Sequence, residues 1–272
     1  MPDQAQWPYS LAKARECLEG FQPPVGDFDP QGAWDHRYSV WKIVPNDRWQ
    51  KTERAGVFRI RRRPEGDQTV VLHVTLCTEQ GRGPAPFLHP DMPSRPEGKW
   101  KNLLTLYHVD ATVTCAADRL ATPKSWELRA AILTPTGQPV AGTEVRETGQ
   151  VGDVIVRRRG KAERSIPAPK SLSCNWSIFD ALQRLPADAA PLEFDMLEEM
   201  DLLKPGQRLT YRESVEIELK SGRLRLHGYD QLGEGILPYN YWLDDRRRLL
   251  LAIGGMRAFV FDPSAHVPEV MR

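Results

Sequence analysis

The chain has 272 residues, of which 40% are hydrophobic, and its 37 lysines and arginines stand against 36 aspartates and glutamates, a formal net charge of +1. That is enough apolar material for one large core or two small ones, and it lacks the basic excess of a protein that lives on nucleic-acid phosphates. No run of about 18 apolar residues marks a membrane span, and Met1 to Ala14 lacks the apolar stretch of a secretory leader. These features read as a cytoplasmic protein, or as a periplasmic or envelope-associated one whose leader has been removed.

The 23 prolines and 20 glycines cut the chain into short segments that suit strands and turns. Pro8 to Gly20 has helical spacing, with Ser10 placed to cap it and Gly20 to end it. Phe21 to Pro30 reads as a loop, and Trp34 to Trp49 as an irregular or extended segment. The period then changes to two. In Val57 to Arg63, Phe58 and Ile60 face one side and Arg59, Arg61 and Arg63 the other. In Thr69 to Cys77, Val70, Leu72, Val74 and Leu76 share a face. Gly81 to Gly98 holds five prolines and reads as a long surface loop. Strands follow at Leu103 to Cys115, Ser125 to Leu133 and Asp153 to Arg159, with a turn at Thr134 to Gly137.

One internal helix, 175–185, interrupts the strands. Asn175 is placed to cap it; Trp176, Phe179, Ala181, Leu182 and Leu185 form its apolar stripe, and Pro186 stops it. Strands resume at Leu192 to Met196, Gln207 to Leu219, Gly222 to Gln231, Tyr239 to Leu243, Leu249 to Ile253 and Met256 to Phe261. In the second of these, Leu209, Tyr211, Val215, Ile217 and Leu219 are expected on one face. The expected fold is mainly β: a large curved antiparallel sheet, an open half-barrel, wrapped around one central helix, with a short N-terminal helix. The organisation expected is an N-terminal lead-in over 1–55 and a single β domain over 56–272.

The helix Asn175 to Leu185 followed by a meander, and the closing run Tyr239-Asn240-Tyr241-Trp242-Leu243-Asp244-Asp245-Arg246-Arg247-Arg248-Leu249, resemble bacterial envelope proteins of the lipoprotein-carrier type, the LolA/LolB-like half-barrels and an allied envelope group. The resemblance covers roughly the last hundred residues. It implies an open half-barrel closed by helices, whose carriers hold acyl chains in an apolar hollow, and it transfers no individual residue.

Several clusters invite a functional reading. Trp176, Phe179, Tyr229, Tyr239, Tyr241 and Trp242 have the chemistry of a ligand-lined hollow, and equally that of aromatic packing within a sheet. Glu234, Asp230 and His227 are candidates for acid/base catalysis on a carbohydrate or similar polar substrate. His73, His108 and His227 lack the spacing of a metal site, so no metal and no cofactor is expected. Arg61 to Arg63, Arg157 to Arg159 and Arg246 to Arg248 would bind an anion if adjacent, and otherwise serve solubility and edge protection. Cys17, Cys77, Cys115 and Cys174 read as small buried thiols. The favoured function is a binding or carrier protein for a lipid-like or other hydrophobic small molecule. The alternatives are a carbohydrate-directed enzyme and an interaction module presenting the Gly81 to Gly98 loop to a protein partner.

Overall fold

Alternation with a period of two gives each strand one apolar face, and a sheet with such a face must cover it. The computed structural model, which describes residues 8–45, 50–82, 104–134, 137–186 and 189–266, does this by curling a sheet around a helix. Eight strands come first: β1 (Trp34–Pro45), β2 (Gln50–Pro64), β3 (Thr69–Arg82), β4 (Leu104–Ala116), β5 (Pro123–Leu133), β6 (Val145–Val151), β7 (Val154–Arg159) and β8 (Ala162–Pro167). After β9 (Leu172–Cys174) and helix α2 (Ser177–Arg184) come β10 (Leu192–Glu198), β11 (Leu202–Leu219), β12 (Gly222–Leu232), β13 (Tyr239–Leu243), β14 (Leu249–Gly254) and β15 (Arg257–Phe261). A short helix α1 (Tyr9–Lys13) precedes them all.

All of these strands join one sheet in the order β8 to β1, then β15 down to β9. Two meanders therefore run in opposite directions from the central pair β1–β15. Every pairing is antiparallel except β9 with β10. The two edges are joined by side chains instead of a ladder. Arg157 of β7 donates to the carbonyls of Met200 (3.2 Å) and Asp201 (2.6 Å) in the β10–β11 turn, and Ser173 of β9 donates to Leu120 O at 2.8 Å.

Helix α2 lies inside. Its residues Ser177 to Gln183 are all buried, and Phe179 meets Tyr38, Phe58, Phe259 and Tyr241 edge-on, with ring centroids 5.0 to 6.3 Å apart. Asp180 is the exception in composition. It accepts from Arg62 Nε at 2.6 Å and from Arg184 Nε at 2.9 Å, and the Arg62 and Asp180 side chains are 3% and 0% exposed. A buried carboxylate is tolerable only when so compensated. Gln183 donates to Phe179 O and accepts from Leu249 N, both at 3.0 Å, tying the helix to β14.

The N-terminal segment covers part of the outer face. Trp242 points away from its neighbour Tyr241, lies over Gly228 and donates from its indole to Ser10 at 3.3 Å. Strand β14 is consequently buried on both faces.

Some expectations need correction. Ser10 is not a cap: α1 starts after Pro8, and the helical spacing to Gly20 breaks into α1 and a 3-10 turn over Glu16–Leu18. Asn175 does not cap α2; its side chain accepts from Glu199 N at 2.9 Å, and Trp176 holds the N-cap position. The segment from Trp34 is extended, a strand to Pro45, and its pairing with β2 shifts register between Val40 and Trp41, where Ala55 is the extra residue. β6, β8 and β9 were not expected. In β11 a register shift between Tyr211 and Glu213 breaks the single apolar face. Leu209 and Tyr211 pair with Gln231 and Tyr229 on the inner side, whereas Val215 and Ile217 pair with Leu226 and Leu224 on the side of Gly228 and Trp242. One extra residue reverses every side chain after it. The Gly81 to Gly98 loop lies, beyond Arg82, outside the described residues, as do Pro135 and Thr136 of the turn after β5.

Two outcomes follow from the packed end of the barrel. Asp180→Ala leaves Arg62 buried without its counter-charge and should cost about 3–5 kcal/mol in a urea unfolding titration. His36 is 4% exposed, stacked on Trp34, and burial together with Arg248 holds its pKa down to about 3. Its neutral form is favoured by the fold, so its contribution is complete above the unfolded value near 6.5 and is lost as pH falls from there toward 3. Thermal unfolding of His36→Phe across that window should show a flatter pH dependence than the parent.

Candidate functional site at the open end of the barrel

Cross-strand partners share a face, so register alone places side chains in rows around the inner wall. Phe259 is an inner residue because it meets Phe179 of the central helix at 5.8 Å. Its row runs Tyr229, Tyr241, Ala252, Phe259, Val40, Gly56, Thr78, Tyr107. The next row outward runs Tyr239, Gly254, Arg257, Lys42, Glu53. Helix α2 occupies the opposite end, where Arg62 and Trp34 are paired. One end is thus plugged, and at the other Tyr107, Tyr239 and Phe259 remain half-buried although they face inward.

Gly254 makes room in this wall. The Tyr239 ring fills the space a Cβ at Gly254 would need, with ring carbons 2.3 Å from that position. Tyr239 then stacks on Tyr241 at 5.9 Å. Beside them stands Glu199 in the β10–β11 turn. It and Met200 both have left-handed backbones, with φ of 47° and 59°. Such values are unusual for side chains of this kind and mark a turn held in place by its surroundings.

The electrostatics tie these residues together. Burial pushes the Glu199 carboxyl up, with Glu198 and Asp201 adding to it and Arg257 opposing. Glu199 is nonetheless open to solvent. Burial, with the charge of Glu199, pushes the Tyr107 phenol up to about 12, against Arg257 and Arg159. Burial also raises Tyr239, again with Glu198 and Glu199 adding and Arg257 opposing. The rim is apolar as well: Leu202, Leu232, Leu237 and Met256, all at this end, are 53%, 54%, 63% and 62% exposed.

The residues singled out by sequence divide. Trp176, Phe179, Tyr229 and Tyr241 are buried in the core; Phe179 and Tyr241 form the floor beneath the open end. Tyr229 donates to Pro186 O at 3.2 Å and accepts from Arg247 at 3.0 Å, so it fastens the exit of α2. Trp242 is on the other face of the sheet. Only Tyr239 reaches the opening. Two shallow recesses, of about 450 and 310 Å³, lie instead beside Phe194 and Gln207 and beside Pro24 and Arg225, and neither touches any of the six.

The catalytic candidates do not converge. Asp230 pairs with Asn240 and accepts from Arg212 at 3.0 Å on the face opposite Tyr229, and Glu234 is exposed in the β12–β13 connection. His227 sits near the plugged end, accepting or donating at Ser214 Oγ (2.7 Å) and Asp245 Oδ1 (2.9 Å). His73 bonds Thr112 at 3.2 Å on the outer wall, and no three His, Cys, Asp or Glu among the described residues are grouped to hold a metal. The arginine triplets do not form one site either. Arg62 pairs with Asp180, Arg157 and Arg159 with Asp201, and Arg246 and Arg248 with Gly26 O. All four cysteines are buried free thiols.

Sequence reading missed Tyr107, Glu199, Arg257, Lys42 and Phe259. They come from β1, β4, β15 and the β10–β11 turn, and the strand residues among them are related by register across the sheet, not by nearness in sequence. The single local hint was Gly254-Gly255, a turn that lets Tyr239 and Arg257 share one row.

Gly254→Ala would drive a methyl group into the Tyr239 ring. It should cost about 1–3 kcal/mol in chemical denaturation and alter the tyrosine near-ultraviolet circular dichroism.

No family model matches the chain, and no curated protein is similar to it in sequence. No helix among the described residues is long and apolar enough to cross a membrane. Among solved structures, the chain is similar to a beta-barrel-like protein of the domain of unknown function DUF1849 from Brucella abortus. The identity is 11%, the TM-score 0.50, and the match covers 85% of this chain and 95% of that one. This supports a barrel-like fold and does not single out the lipoprotein carriers, so the chain is a barrel-like protein built from one curved, mostly antiparallel sheet.

Proposed function

We propose that the protein is a non-catalytic binding or carrier protein that receives a small ligand with an apolar body at the open end of its barrel. The supporting observation is the set of inward-facing aromatic side chains left half-buried there, Tyr107, Tyr239 and Phe259, above the floor formed by Phe179 and Tyr241. A concave wall of aromatic rings with a few polar groups is the usual make-up of a small-molecule site. The hollow proposed from sequence thus moves toward the open end, because Trp176, Tyr229 and Trp242 are committed to packing. A lipid-like ligand of the kind held by lipoprotein carriers fits this reading. The carbohydrate-enzyme alternative has less support, since Asp230, Glu234 and His227 lie apart.

The test is binding of the neutral fluorescent probe N-phenyl-1-naphthylamine. The parent should bind saturably, and Tyr239→Ser combined with Phe259→Ser should weaken binding at least tenfold while circular dichroism stays that of the parent. No saturable binding, or equal binding by the folded variant, would overturn the proposal.

A further inference from the structure

The row nearest the opening contains a charge arrangement that sheets ordinarily avoid. Arg257 of β15 is directly opposite Lys42 of β1. Like charges in that relation repel. On its other side Arg257 faces Gly254, whose missing side chain is replaced by the Tyr239 ring. Lys42 has Glu53 opposite it on β2, but Arg257 has no carboxylate across either strand. Within the described residues Arg257 makes no ion pair within 4 Å. The other arginines at this end differ: Arg157 and Arg159 both reach Asp201.

Arg257 also faces the right way. It lies two residues before Phe259 on the same strand, so both side chains point inward, and its charge is felt by Tyr107, Tyr239 and Glu199. Register therefore places Arg257 and Lys42 at facing positions on the side of the sheet that carries Phe259 and Tyr241. That combination recognises an anionic head on an apolar body, with the guanidinium supplying directed donors and the ammonium a point charge.

We infer that the ligand of the open end is an anionic amphiphile, whose carboxylate or phosphate head is held by Arg257 and Lys42 while its hydrocarbon body lies against Phe259, Tyr239 and Tyr107. This rests on the binding function proposed above and names the chemistry of its ligand.

The experiment displaces bound N-phenyl-1-naphthylamine with dodecanoate, dodecyl phosphate, dodecanol and inorganic phosphate at one pH and ionic strength. The parent should be displaced at least tenfold more readily by dodecanoate or dodecyl phosphate than by dodecanol, and inorganic phosphate alone should not displace the probe. Whichever anionic amphiphile is stronger identifies the head. Arg257→Gln and Lys42→Gln should each lose most of that preference, the ratio of displacement by dodecanoate to displacement by dodecanol being read for each variant against its own probe affinity. Equal displacement by dodecanol and both anions, or a preference that survives both substitutions, overturns the anionic assignment and leaves the binding site standing. A parent that does not bind the probe at all overturns the site itself.

Discussion

A carboxylate at the centre of an apolar barrel is the constraint from which the rest of this architecture follows. Asp180 is fully buried on a helix surrounded by aromatic rings, and its two oxygens are taken by Arg62 and Arg184. The pair with Arg62 is costly to bury and contributes little net stability against an apolar replacement. Its geometric effect is nevertheless definite, because Arg62 also donates to the carbonyls of Gln31 and Gly32. One guanidinium therefore joins the central helix, strand β2 and the loop that precedes β1. That fixes the helix at one end of the barrel; among the described residues no helix enters the other end.

The second constraint is that the sheet has more apolar surface than one helix can cover. Strand β14 is apolar on both sides, and the chain folds α1 and the following turn onto the exterior of the wall, joined by Trp242 to Ser10 and by Ser221 to Phe21 O at 3.0 Å. The bulge at Arg212 redirects the apolar residues of β11 from the interior to this outer layer. A strand that serves two cores in succession needs such a device, since strict alternation would leave one of them without side chains.

How much of this could be read from residues alone depended on range. Phe58, Ile60, Val70, Leu72 and Val74 gave themselves away by alternation, and the helix by its apolar stripe, because both signals are local. Arg62 illustrates the limit. It shares the parity of Phe58 and Ile60, and so was bound to face inward, yet as the middle of three arginines it read as surface. Its partner lies 118 positions away. The strands β6 and β8 are largely exposed and carry little periodic signal. The aromatic residues near Tyr241 were recognisable as a group, but which face each would take depended on register with neighbours, so Trp242 and Tyr239 were assigned one role and hold two.

Local irregularities occur at both ends of the barrel and differ in kind. Around α2 the Asp180 carboxylate has partners and the aromatic rings have neighbours, but Arg247 is left-handed at φ 68° and its Nε and Nη1 are buried without a hydrogen-bond partner among the described residues. At the opening, two consecutive non-glycine residues are left-handed, two cations face each other across strands, and four large apolar side chains are exposed. Each of these is unfavourable by itself, of order 1 kcal/mol for each left-handed residue. Natural sequences are locally consistent except where another requirement overrides stability, and such exceptions gather at functional sites. A ligand with an apolar body and an anionic head would cover the half-buried aromatic wall and place an anion beside the facing cations Arg257 and Lys42. On the proposed function, the plugged end is the scaffold and the open end is where the ligand is received.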